Sequence, residues 1–322
     1  MPAVWDAAAR ASSGKVRPMS YQDLLDEIAR EVRPYFGKGA VAGYIPALRR
    51  VPVTKFGMSL CTVTGAVYSV GDAEKPFSIQ SISKLFTLML AMSMVGDEIW
   101  TRVGKEPSGT PFNSLVQLEH EAGVPRNPFI NAGALVVLDC VMTHAKDVKS
   151  TIRDYARVLS QNFSIDANPR VLRSERKSGF RNAALAYLLK SHGTIAGNVP
   201  RLLDAYCHQC ALEMSCLDLS RALLALANRG LSPVMGEAVL TAGQAKRVNS
   251  LMLTCGMYDS VGSFAYRVGL PAKSGVGGGI VAVMPGEFTI TVWSPELDRS
   301  GNSLVGVQAL QLFTQMTGIS VF

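Results

Sequence analysis

The sequence contains no long hydrophobic run. Its most apolar stretch, LFTLMLAMSMVG (85–96), covers about twelve residues, short of the ~20 that a bilayer-spanning helix needs. No membrane span is expected, and this stretch reads as a buried core helix. The first twenty residues, MPAVWDAAARASSGKVRPMS, show no apolar segment of the secretory kind. They are expected to form a flexible tail ahead of a single catalytic domain over 21–322. Charge is also sparse, at 18% of residues with a net of +7. The densest basic cluster, RSERKSGFR (173–181), is interrupted by a glutamate. Neither a basic stripe nor a recognisable nucleic-acid module is present, so nucleic-acid binding is not expected. There are six cysteines, but CHQC (207–210) is the only CxxC and no second pair is spaced to complete a zinc site. Buried reduced thiols in a cytoplasmic protein are the expected state. Internal repeats and low-complexity blocks are absent as well.

What is present is a large apolar complement, 48% of 322 residues, enough for a generous core in one large domain or two small ones. A helix is predicted from Tyr21 to about Phe36, capped by Ser20, with Leu24, Leu25, Ile28 and Val32 at helical spacing. GMSLCTVTGAVYSVGD (57–72) alternates around a Thr-Gly turn and predicts a β-hairpin. The chain then turns helical to about residue 256. Predicted helices there cover 131–145, 181–193, 216–230 and 241–256, the last two capped by Ser215 and Thr241. Strand patterns return at GSFAYRVGL (262–270) and in a hairpin over 277–295 that turns near Pro285-Gly286. A closing helix falls within 302–317. Strands joined by tight turns pair antiparallel. The predicted fold is therefore α+β: an antiparallel β-sheet flanked by helices, with a helical subdomain (about 95–256) inserted between the strand groups.

The 78–86 stretch, SIQSISKLF, places Ser81 and Lys84 three residues apart at the mouth of the apolar helix. At i and i+3 they share one face. The first turn favours a developing negative charge, which suits an alkoxide. A serine hydroxyl needs a base, and a neutral lysine can serve. Its ordinary pKa of about 10.4 must then fall by about three units, roughly 4 kcal/mol, through burial or a second cation. Against this, Ser81 as a cap and Lys84 reaching to solvent would explain the same four residues. AKSGVGGGI (272–280) changes the balance, because S-x-x-K pairs with K-T-G in penicillin-recognising enzymes and K-S-G is its near equivalent. Lys273 is then a candidate second cation. Gly275 and Gly277–Gly279 would let a substrate lie against the strand backbone.

Eight ordered blocks extend the pattern: VAGYIP (41–46), FSIQSISK (77–84), GKEPSGTPFN (104–113), NPFINAGA (127–134), SERKSGFRN (174–182), DAY (204–206), CGMYD (255–259) and GLPAKSGVGGGI (269–280). Over about residues 21–320 the chain closely resembles the serine-dependent glutaminases, which share the fold of serine β-lactamases and transpeptidases. The Ser-Asp-Asn element of β-lactamases has no literal counterpart here. The resemblance implies hydrolysis of L-glutamine to L-glutamate and ammonia with no metal and no organic cofactor, and assembly as a homotetramer.

By the same resemblance, Ser81 is the nucleophile, Lys84 its base, and Tyr258 a substrate contact that shuttles protons. The backbone N–H of Val276, with that of Ser81, forms the oxyanion hole. Asn131, Glu175, Asn182 and Tyr206 hold the amino-acid end of the substrate, Tyr206 being assigned by its D-x-Y pattern, and Tyr44 lines the pocket. GKEPSG is expected to be structural. Physically, Glu175 suits the substrate ammonium, and the amides and the phenol suit its carboxylate. Two rivals share these motifs: a β-lactamase or peptidase of the same fold, and a non-catalytic amino-acid-binding protein.

Overall fold

The computed structural model describes residues 19–109 and 114–322. Most of the expected N-terminal tail and the end of the GKEPSGTPFN block thus lie outside the described residues. Five antiparallel strands form the main sheet, in the order Val67–Gly71, Gly57–Thr62, Phe288–Trp293, Gly279–Met284, Ala272–Gly275. Both predicted hairpins are there, with Gly57 opposite Gly71 and Met284 opposite Phe288. The two strand groups, distant in sequence, join where Gly57–Thr62 pairs with Phe288–Trp293.

Alternation along the strands divides the sheet between two cores. Met58, Leu60, Ile280, Ile290 and Val292 face the first and last helices, where they meet Leu25, Ile28, Leu310 and Phe313. Val281, Val283 and Trp293 face the helical side and pack with Ile82, Leu85, Phe86 and Leu135. The helix Ser83–Val95 runs through this second core with every residue from Ser83 to Met92 buried. A helix enclosed on all sides needs no polar face, which accounts for its uniformly apolar sequence. Among the described residues, no helix is long and apolar enough to cross a membrane.

Three expectations require correction. The first helix is Tyr21–Glu31 and is followed by a 3-10 turn, Arg33–Tyr35. Pro34 disfavours helical geometry in the residue before it and supplies no N–H. The 216–230 helix breaks at Leu223 into Cys216–Ala222 and Leu224–Ala227. The expected strand at 262–270 is a helix, Val261–Val268, closed by Gly269 in the left-handed region at φ +67°. Phe264 and Val268 are buried one helical turn apart, and Tyr266 between them is 93% exposed, a pattern that fits the helix and not the strand.

The glycines of 275–279 also allow a close approach within the chain. A Cβ on Gly275 would stand 2.5 Å from the Ile79 carbonyl oxygen, and one on Gly277 2.0 Å from that of Ser78. On Gly279 it would meet the Phe77 ring at 2.6 Å. The glycines thus let this hairpin approach the chain's own segment leading to Ser81. That segment is pinned on its other side by pairing of Phe77 with Met214 and by donation from Ile79 N–H to the Leu212 carbonyl at 2.9 Å. Phe77 also stacks on Trp293 with centroids 4.9 Å apart.

Gly277→Ala is expected to lower the unfolding free energy in urea by about 1–3 kcal/mol, the usual cost of overpacking. Gly262→Ala, where a Cβ meets nothing within 4 Å inside a helix, should be neutral or stabilising by up to about 1 kcal/mol. Equal effects from the two substitutions would contradict the close-approach argument.

Candidate active site

Ser81 does not open the α-helix. It lies in a 3-10 turn, Gln80–Ile82, and the helix proper begins at Ser83. Gln80, immediately before it, has φ +49°, an uncommon and strained conformation for a residue with a side chain. The turn is closed by donation from Ile82 N–H to Ile79 O and from Ser83 Oγ to Gln80 O, at 3.0 and 2.7 Å.

Lys84 is only 1% exposed. Its Nζ donates to the Phe129 carbonyl at 2.9 Å and to Asn131 Oδ1 at 2.7 Å, and not to Ser81. Burial pushes its pKa down to about 8, opposed slightly by the Cys210 thiol. A neutral amine has two N–H bonds and one lone pair. With both N–H bonds taken by carbonyl oxygens, the lone pair is left to accept a proton.

The second buried amine, Lys273, is fully enclosed. It donates to the carbonyls of Ser274 and Gly256 at 2.5 and 3.3 Å and lies 4.9 Å from the centroid of the Tyr258 ring. Burial, and then the charge on Lys84, hold its pKa well below the lysine range. Against the expectation of a second cation at Lys273, burial without a carboxylate and the nearby charge on Lys84 both disfavour its charged form.

Asn131 organises the polar wall. Its Oδ1 accepts from Lys84 and from the Tyr206 hydroxyl, the latter at 3.2 Å, and its Nδ2 donates to Asn182 Oδ1 at 2.9 Å. Asn131 begins the helix Asn131–His144, and Tyr206 lies buried in the helix Val199–Cys210. Tyr258, with φ +50°, shares hydrogen bonds with the Ser81 side chain and with the backbone at Val276. Its hydroxyl also donates to Ser274 O at 3.4 Å. Burial raises its pKa, so the phenol stays protonated at neutral pH.

Tyr44, Ser81, Asn131, Glu175, Asn182, Tyr206 and Val276 line one cavity of about 220 Å³. Lys84 and Tyr258 sit behind its wall, joined to it through Asn131 and Ser81 respectively. Glu175 is buried, and its Oε1 has no hydrogen-bond partner. Burial raises its pKa against a stabilising hydrogen bond from Gln80. An enclosed carboxylate oxygen lacking a donor has the chemistry to accept from a cationic group. Sequence reasoning missed Gln80, Ser178, Arg181 and Cys210 as lining residues. The first three fall inside blocks already noted, beside residues that were chosen. Cys210, in CHQC, carried only the CxxC pattern, which bears on metal or redox chemistry and not on this cavity.

The family model described as glutaminase matches residues 39–322. A glutaminase from Ralstonia nicotianae is 55% identical over 304 residues, spanning 94% of this chain and all of that protein. One from Caulobacter vibrioides is 55% identical over 306 residues, 95% of this chain and all of its own. Among solved structures, a probable glutaminase of Bacillus subtilis matches with TM-score 0.86 at 32% identity, covering 94% of this chain and 98% of that one. A further Bacillus subtilis glutaminase structure matches with TM-score 0.84 at 32% identity, covering 94% and 100%. It is a covalent complex with 5-oxo-L-norleucine, formed by reaction with 6-diazo-5-oxo-L-norleucine.

Proposed function

The chain belongs to the glutaminase family, amidohydrolases that convert L-glutamine and water to L-glutamate and ammonia, and from that premise we propose that Ser81 is the nucleophile and Lys84 its general base. The observation that carries this reading is the state of Lys84, whose two amine hydrogens are bound by carbonyls at the foot of the pocket that Ser81 lines. Ser81 Oγ attacks the side-chain amide carbon while its proton passes to the lone pair of Lys84. The oxyanion takes the N–H groups of Ser81 and Val276, each such donor contributing about 3–4 kcal/mol. Tyr258 relays a proton to the leaving nitrogen, ammonia departs, and water hydrolyses the γ-glutamyl ester. Glu175 receives the substrate ammonium, and Asn131, Asn182 and Tyr206 receive its carboxylate, beside Tyr44. We read residues 21–322 as one catalytic domain whose helical part, about 95–256, supplies Asn131, Glu175, Asn182 and Tyr206.

The assembly and compartment are read as a homotetramer in the cytoplasm. Six free cysteines, five of them buried, suit a reducing compartment. Helix Phe180–Ser191 buries Leu185, Ala186 and Leu189. On its other side it exposes Phe180 at 82%, Ala184, and Tyr187 at 57%. A helix apolar on two faces supports contact with another copy.

Ser81→Ala is expected to abolish ammonia release while melting at the wild-type temperature; retained turnover would reject the covalent route. Because the neutral form of Lys84 is the active one, kcat/KM should climb about tenfold per pH unit below pH ~8 and level off above it. A flat profile across that range would argue against a lysine base. Phe180→Asp with Tyr187→Asp should reduce the mass measured by light scattering, and an unchanged mass would exclude this helix face from the assembly.

A further inference from the structure

A second, larger groove of about 1120 Å³ meets the substrate pocket, since Tyr44 and Ser178 line both. It is roughly five times the volume of the pocket and far exceeds what one glutamine requires. One wall is the helix Pro169–Ser178, which presents Arg170, Arg173 and Lys177 at i, i+3 and i+7. All three are exposed, and among the described residues none has an ion-pair partner. Their neighbour Arg176, on another face of the same helix, is bound to Asp204. Arg50 adds a fourth unpaired cation to the lining. Lys55 and Lys75 also line the groove, but both are held by Asp72, at 3.2 and 2.8 Å. The single carboxylate of the lining, Glu213, accepts a hydrogen bond from Asn168 at 3.0 Å. The remaining lining is largely apolar, including Pro46, Leu48, Val51, Pro52, Pro76 and Val171.

We propose that this groove docks an extended acidic peptide segment of a partner protein, with alternate acidic and apolar side chains, at the mouth of the substrate pocket. The charge argues for an acidic occupant, because Arg50, Arg170, Arg173 and Lys177, unpaired among the described residues, outnumber the one lining carboxylate, Glu213, four to one. The spacing argues for an extended chain. At 1.5 Å per residue, Arg170, Arg173 and Lys177 stand about 4.5 and 6 Å apart along the helix axis. Residues on one side of an extended strand repeat every ~6.7 Å, within reach of long flexible side chains. The intervening side chains then face the prolines and aliphatics. The concave shape excludes a flat bilayer as occupant. Of the rings in the lining, Phe77 and Trp293 are each only 4% exposed and Tyr44 alone is open, at 60%, which offers no row of rings for successive bases to stack on.

The test uses the full chain and a short fluorescein-labelled peptide alternating Asp and Val, read by anisotropy at fixed ionic strength. A peptide alternating Asn and Val is the control. The Arg170→Ala, Arg173→Ala, Lys177→Ala triple variant should hydrolyse glutamine at the wild-type rate, which reports that it is folded. The acidic peptide should bind wild type at least about tenfold more tightly than the neutral peptide, and at least about tenfold more tightly than it binds the variant. Absent binding, equal binding of the two peptides, or binding undiminished in the variant would overturn the proposal. Displacement of the peptide by inorganic phosphate beyond that by chloride of equal ionic strength would make the groove a small-anion site and overturn it too. A lower oligomer mass in the variant would assign the groove to a second copy of the chain.

Discussion

The architecture depends on keeping one amine out of water and away from carboxylates. Lys84 is enclosed by the second core, yet its Nζ meets only two carbonyl oxygens, from Phe129 and Asn131. A carboxylate partner would have stabilised the ammonium and raised its pKa. Carbonyl dipoles satisfy the N–H groups without supplying a full charge, so burial sets the pKa and brings it to about 8. The uniformly apolar sequence of the Ser83–Val95 helix, which looks wasteful on a surface, is what makes that enclosure possible.

The same requirement explains the placement of the neighbouring elements. Asn131 must present its carbonyl oxygen to Lys84, and donation of its amide to Asn182 fixes that orientation. The helix Asn131–His144 must in turn approach the loop before it, and at Gly133 a Cβ would stand 1.9 Å from the Asn127 carbonyl oxygen. On the opposite side, Gly275 and Gly277 bring the hairpin against Ile79 and Ser78. This brings the backbone at Val276 to the Tyr258 hydroxyl that also meets Ser81. Close backbone contacts on both flanks hold Ser81 in its 3-10 turn despite the positive φ at Gln80. Strain of this kind, about 1–3 kcal/mol, persists only where the surroundings over-determine it.

Elements with strong local signals were legible in the sequence. Ser20, Ser215 and Thr241 each form the capping box that their helices need, and the two hairpins announced themselves by alternation around glycine turns. The 262–270 segment misled because Phe264, Tyr266 and Val268 alternate as a strand would, while Phe264 and Val268 also sit one helical turn apart. Exposure of Tyr266 and the left-handed Gly269 decide for the helix, and neither is visible locally. At the site, residue types and ordered blocks pointed to the residues that share the cavity. The bonds between them were not legible, because Lys84 to Phe129 and Tyr258 to Ser81 span tens of residues or more. The charge state of Lys273 was not legible for the same reason, since which of two buried amines carries the proton depends on every group around both.

Glu175 shows what such a site demands. Its Oε1 is buried without a donor, and its pKa is raised, so the pocket holds a group whose charge burial penalises. In the proposed route the substrate ammonium relieves that penalty, pairing with the carboxylate and favouring its charged form. A glutamine whose nitrogen is acylated, as within a peptide, would bring no charge to that oxygen and would leave the penalty in place. Discrimination then rests less on added attraction for the free amino acid than on the cost of leaving a buried polar atom unmatched, which is the stronger of the two effects in sites of this type. The strained turn, the burial of two amines away from any carboxylate and the orphaned carboxylate oxygen all cost stability, and the two apolar cores flanking the sheet must offset them together.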